Sequence, residues 1–142
     1  MYSKVFKIML TVECVLLFIQ FWLGMSVNLF VIVPLSSAFS FSSYSGGYEV
    51  FAHLVNGVLV LAISGLILSY GFRLESRFIS ALSSLAVVFT VIAAATGATF
   101  ALEGQNNSLS MAMAMSFLII YTVYFSEFYL VGRISGVSSL AG

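Results

Sequence analysis

All five basic residues of this chain, Lys4, Lys7, Arg73, Arg77 and Arg133, fall in three short segments: the N-terminus, a central loop and the C-terminal tail. Long apolar stretches separate them. The two remaining connecting segments carry Glu49 and Glu103 and no Lys or Arg. In membrane proteins the cytoplasmic loops hold the excess of Lys and Arg. The pattern therefore predicts an all-α integral membrane protein, with four helices running up-down-up-down and both termini in the cytoplasm. Residues 1–142 form one transmembrane domain on this reading, placed in the cell membrane.

Composition agrees. The chain is 61% hydrophobic and 7% charged, whereas a soluble domain carries about 25% charged residues. The formal net charge is zero, which gives no electrostatic case for nucleic acid as a partner. The partners implied are the lipid bilayer and either other membrane subunits or a second copy of the chain. The single cysteine, Cys14, excludes an intrachain disulfide and any cysteine-based zinc site. Lying in the first apolar run, it reads as a buried structural thiol.

A hydrocarbon core of about 30 Å needs roughly 20 apolar residues in a helix. Four stretches qualify, at about 8–33, 50–71, 78–101 and 109–131. The first ends at Pro34, which cannot donate the N–H that a continuing helix requires. Residues 1–38 resemble a signal peptide in outline, with Ser36-Ser37-Ala38 as the cleavage site. The apolar run is far longer than the roughly 7–15 residues of such a segment, so a retained helix is expected. Tyr2, Tyr44, Tyr48, Tyr70 and Tyr129 fall near the span ends, as an aromatic belt requires, while Trp22 is mid-span. The longest loop, 35–47, contains Phe39, Phe41 and Tyr44. It reads either as a cover on the bilayer surface or bundle mouth, or as a flexible connector.

Polar and small residues in a span mark the face turned toward other helices. On the first span Glu13, Gln20, Gly24 and Asn28 share a stripe; on the second, His53, Asn56, Gly57 and Ser64. The third carries Ser83, Ala86, Thr90, Ala93, Gly97 and Ala101. On the fourth the expected inner face is Ser108, Ala112, Met115, Thr122 and Ser126.

Two places could carry chemistry. His53 is the only histidine, with Glu49 four residues before it and Gly57 four after. An imidazole beside a glycine suits a planar ligand, and haem iron takes His as an axial ligand. Pairing with Glu49, or a hydrogen bond to another helix, is the competing reading. A second axial ligand could come from Met111 or Met115, which share a face at the start of the fourth span, while Met113 points away. The other place is Glu13 and Glu127, inside apolar runs toward the cytoplasmic end. Each is six residues from a basic side chain, Lys7 and Arg133, and could reach the headgroup zone as a solvated carboxylate. A proton relay or a quinone contact is the sharper alternative. No HExxH, P-loop, GxSxG or cysteine cluster is present.

The elements Gln20-Phe21-Trp22-Leu23-Gly24, His53-Leu54-Val55-Asn56-Gly57, and Ala93 to Gly97 make the chain resemble one four-helix half of the haem A synthase family. The resemblance spans about residues 12–130 and rests on short motifs. It implies haem ligation by His53 at the outer end of the second helix. The family's histidine at the start of the fourth helix is missing; Ser108, Met111 and Met113 stand near that position. The resemblance thus implies a single-histidine protein holding haem b at His53, in respiratory electron transfer or haem handling, or else a bundle that has lost haem and kept the shape, rather than an enzyme on its own. The rival expectation is a structural accessory subunit of a larger membrane complex with no cofactor.

Overall fold

The computed structural model describes residues 2–35, 40–74 and 76–140, without side chains for 2–3 and 134–140. Ser36-Ser37-Ala38, Phe39 and the ring of Tyr2 lie outside this description. Every regular element among the described residues is a helix: α1 (Tyr2–Phe30), α2 (Gly47–Arg73), α3 (Arg77–Glu103) and α4 (Asn107–Leu140). Each contains a 27-residue span long and apolar enough to cross a membrane. Only 17% of the most apolar window of the first span, and 22% of each of the others, is buried inside the protein. The rest of this apolar surface faces outward, which is the mark of a multi-pass membrane protein.

α1 starts at Tyr2, earlier than residue 8, because Phe6 and Leu10 are fully buried and carry the packing toward the N-terminus. It stops at Phe30 rather than residue 33. The Pro34 ring would clash with the carbonyl four residues back, that of Phe30, and it disfavours helical backbone at Val33. The polar groups freed here are taken up by Gln105. Its Nε2 donates to Val31 O at 2.7 Å, and Val33 N donates to its Oε1 at 3.2 Å. Gln105 does this from the left-handed region (φ 58°), a conformation costing about 1–2 kcal/mol for a residue with a Cβ. The clamp ties the end of α1 to the α3–α4 connection.

The helices form a ring in which each packs on two neighbours: α1 on α2, α2 on α3, α3 on α4, and α4 on α1. Contacts descend α2 as they climb α1, from Glu13–Ser64 through Gln20–Asn56 to Ser26–Glu49. Ser76 caps α3 by accepting from Ile79 N, and Asn106 caps α4 by accepting from Ser108 N at 2.8 Å. The described part of the 35–47 connection is packed. Tyr44 joins Val27, Val31, Val33 and Val50 in a small apolar cluster, and the Phe41 and Phe51 rings lie 5.3 Å apart. Gly47 is obligatory there, because a Cβ would sit 1.9 Å from Phe41 O.

The main core is Phe6, Leu10, Leu17, Val60, Ile67, Ile79, Ala86, Ile120 and Tyr124 with their neighbours. Cys14 packs against it half-buried, not buried. The stripes expected on α1, α2 and α3 do face inward. The one expected on α4 does not: Ser108, Met115, Thr122 and Ser126 face outward, and Ser116, Ile120, Val123, Tyr124, Glu127 and Val131 face the core. The hydroxyls of Thr122 and Ser126 donate to the carbonyls of Leu118 and Thr122, both at 2.8 Å. Satisfied within their own helix, they have no need of a neighbour.

Candidate functional site

Two polar regions lie inside the bundle. The first joins α1 to α2. Gln20 and Gly24 are four apart on α1, as are His53 and Gly57 on α2, so each pair shares a helix face. Each side chain occupies the hollow of the opposite glycine. A Cβ on Gly24 would lie 3.0 Å from His53 Cε1, and one on Gly57 would lie 3.1 Å from Gln20 Nε2. The two side chains meet between the helices, Gln20 Nε2 to His53 Nε2, at 3.1 Å. Asn56 Nδ2 donates to Gln20 Oε1 at 2.7 Å and to Leu16 O at 3.0 Å. That bond turns the Gln20 NH₂ toward His53, so Nε2 accepts and the ring proton sits on Nδ1. Nδ1 is buried with no partner among the described residues. Asn28, on the same α1 stripe, is half-buried in the outer groove beside Gln105 and Asn107.

This geometry does not fit haem b. The lone pair of Nε2 that iron would take already accepts from Gln20. The space at Gly57 that the porphyrin would enter is filled by the same amide. Met111 and Met115 are 62% and 48% exposed on the outward face of α4. Met113, expected to point away, is the one turned inward, its Sδ against Gly97. Nor does His53 pair with Glu49, which accepts from Ser26 Oγ at 3.0 Å. Of the readings of His53, the hydrogen bond between helices is the one formed.

The second region lies toward the basic end. Glu13 on α1 and Glu127 on α4 are not the outward-turned, solvated carboxylates expected; both are 0% exposed, turned into the bundle. Glu13 Oε1 accepts from Ser64 Oγ of α2 at 2.7 Å, and Glu127 Oε1 accepts from Ser83 Oγ of α3 at 2.5 Å. The second oxygen of each carboxyl group, Oε2, is buried with no hydrogen-bond partner among the described residues. Tyr124, fully buried on α4, donates to Ser64 Oγ at 2.9 Å. Thr90 Oγ1 of α3 is 3.4 Å from the same Ser64 oxygen. Ser83 sits there because Gly71 of α2 leaves room: a Cβ on Gly71 would be 2.8 Å from Ser83 Oγ.

Sequence reasoning missed Tyr124 and Gln105. The signal for Tyr124 was present: Ile120, Tyr124, Glu127 and Val131 are spaced 4, 3 and 4 and make one helix face. Nothing local marks Gln105, whose partners lie more than seventy residues away.

The chain matches no protein-family model, no curated protein and no solved structure. Among the described residues no group of three or more His, Cys, Asp or Glu side chains is placed to hold a metal ion.

Proposed function

We propose that this is a cell-membrane protein of up-down-up-down topology whose work is the uptake and release of protons at Glu13 and Glu127. The termini and the α2–α3 connection face the cytoplasm on this reading. All five basic residues lie at that end. Arg73 and Arg133 there stack on Tyr70 and Tyr129, 5.6 and 5.9 Å from the ring centres, as headgroup-level anchors do.

One observation carries the functional reading: two fully buried carboxyl groups, each with one oxygen bonded to a hydroxyl and the other bonded to nothing described. An uncompensated charge in a bundle interior costs several kcal/mol. No Lys, Arg or His hydrogen-bonds to either group among the described residues. A proton on each carboxyl group removes that charge, and it is one that the group can release. Ionisable residues so placed mark proton and ion pathways in membrane proteins.

Dicyclohexylcarbodiimide tests this. It adds to protonated carboxyl groups in apolar surroundings and leaves a stable N-acylurea that mass spectrometry locates. Purified protein in mild detergent is expected to carry the adduct on Glu13 and Glu127, less of it as pH rises. Glu49 and Glu103, exposed at the opposite end, are expected to react with a water-soluble carbodiimide instead. Absence of adduct at both buried positions would overturn the reading and leave a packing subunit of a larger membrane assembly.

A further inference from the structure

The two buried carboxyl groups stand in different relation to the two ends of the bundle. Val131 of α4 and Ile79 of α3 lie one turn from Glu127 and Ser83, toward the basic end, and both are buried in the core. Two residues further on, about 3 Å along the helix axis, stand the exposed Arg133 and Arg77. Ile79 belongs to the first turn of α3, and local opening costs least at helix ends. Glu13 lies deeper. Tyr124, three residues from Glu127 on the same face of α4, donates to Ser64, and Ser64 donates to Glu13. Hydroxyl groups thus lead from the turn next to Glu127 to the Glu13 carboxyl group.

The opposite direction is built differently. Leu17, Val60 and Ile120 each lie one turn beyond Glu13, Ser64 and Tyr124, with 3, 4 and 2% of their surface exposed, in one core cluster. Between Glu13 and Gln20 on α1, and between Ser64 and Asn56 on α2, no side chain carries a hydroxyl, amide or carboxyl group. On α4 the inward Ser116 commits its hydrogen to Ala112 O. Past this layer thirteen residues of helix remain before Phe30, Gly47 and Asn107, about 20 Å. There α1 and α2 close on one another at Gly24 and Gly57. A proton leaving that way would cross an apolar layer as an unpaired charge. We propose that Glu13 and Glu127 exchange protons with the water at the basic end alone, the layer of Leu17, Val60 and Ile120 separating them from the His53 end. The other titratable side chains packed in this core are Cys14 of α1, Tyr70 of α2, and Tyr121 and Tyr124 of α4; among the described residues α3 adds none.

The inference rests on the proton-exchange reading, and labelling in sealed vesicles separates the two. The protein is reconstituted into phosphatidylcholine vesicles, where it inserts both ways round. Internal and external pH are set independently, and dicyclohexylcarbodiimide, which crosses lipid, is added. Trypsin is then applied outside. Its sites are the five Lys and Arg residues, so it cuts only the copies whose basic end faces out. In cut copies the adduct on Glu13 and Glu127 is expected to follow the external pH; in uncut copies, the internal pH. On the alkaline limb of the labelling curve, buffers about two pH units apart separate these outcomes by about a hundredfold. Adduct in either population that follows the pH of the opposite side, or of both sides at once, would overturn one-sided access and leave proton exchange standing. No adduct in any copy, or adduct indifferent to both pH values, would overturn both.

Discussion

At the end of the bundle away from the basic residues, Gln20 and His53 each fill the other helix's glycine hollow and bond to one another. At the basic end, Glu13 and Glu127 cross to neighbouring helices and each keeps one oxygen without a partner among the described residues. Both regions are polar, intramembrane and formed between helices. They differ in what is left over. Around Gln20 the Asn56 and Gln20 amides bond to one another, to Leu16 O and to His53, only Nδ1 of the His53 ring is buried without a partner among the described residues, and the glycines are used for close approach. At Glu13 and Glu127 one carboxyl oxygen each is buried without a hydrogen-bond partner among the described residues. The first region, the lock between α1 and α2, leaves a neutral ring nitrogen over and the second an ionisable carboxyl oxygen, and it is the ionisable group on which the proposed function rests.

The lock breaks most severely at its glycines. Gly57→Leu drives a side chain into the place of the Gln20 amide, and thermal unfolding in detergent is expected to register a loss of about 3 kcal/mol, at the top of the range for overpacking. Gly24→Ala, with a Cβ 3.0 Å from a histidine ring carbon, is expected to cost less, about 1 kcal/mol. A Gly57→Leu variant as stable as the parent would show that the hollow is not filled as described. The same end yields an optical test. Adding hemin to the purified protein is expected to give no Soret band that His53→Ala removes. A band that disappears in that variant would open the Gln20–His53 bond and restore the haem reading.

Asn56→Leu comes next. It removes the bonds to Gln20 Oε1 and Leu16 O. Hydrogen bonds between membrane helices contribute about 0.6 kcal/mol on average and about 1.7 at most, so a loss of about 1–2 kcal/mol is expected. A loss confined to a few tenths would mean that the glycine hollows alone hold α1 to α2.

How far these regions could be read in the sequence depends on what each residue says about its partner. The basic residues and apolar runs gave four spans, because length and charge are properties of a segment by itself. The stripes on α1 to α3 were also legible, since Glu13, Gln20, Asn56, Ser64 and Ser83 do bond to other helices. On α4 the same rule failed. Thr122 and Ser126 bond to their own helix and face out, while Ser116 bonds to Ala112 O at 2.8 Å and faces in. A hydroxyl that can return to the carbonyl one turn back carries no information about which way it points. Gly57 posed a different difficulty. A gap is visible in a sequence, but its occupant is not, and the planar group that fills this gap is the amide of Gln20 rather than a porphyrin. Glu13 and Glu127 were noticed for their cost, yet the nearby Lys7 and Arg133 pointed them the wrong way. What turns them inward is Ser64 and Ser83, on helices that only the fold brings near.

The smallest expected effects sharpen the comparison at its other side. Glu13→Gln keeps the shape and one acceptor for Ser64 while removing the ionisable group. If Glu13 served as part of a lock, the change would cost as much as Asn56→Leu. A group retained for exchange contributes little to holding the bundle together, because its burial already opposes folding. The melting temperature of Glu13→Gln is therefore expected to match the parent's, within about 0.5 kcal/mol, or to exceed it, while carbodiimide no longer labels that position. Thr122→Val sets the baseline for a polar residue with neither role: facing outward and satisfied by Leu118 O, it is expected to change stability by less than about 0.5 kcal/mol and to leave both labelling sites intact. A Glu13→Gln loss well above that baseline would place Glu13 with Gln20 and His53 as a structural contact.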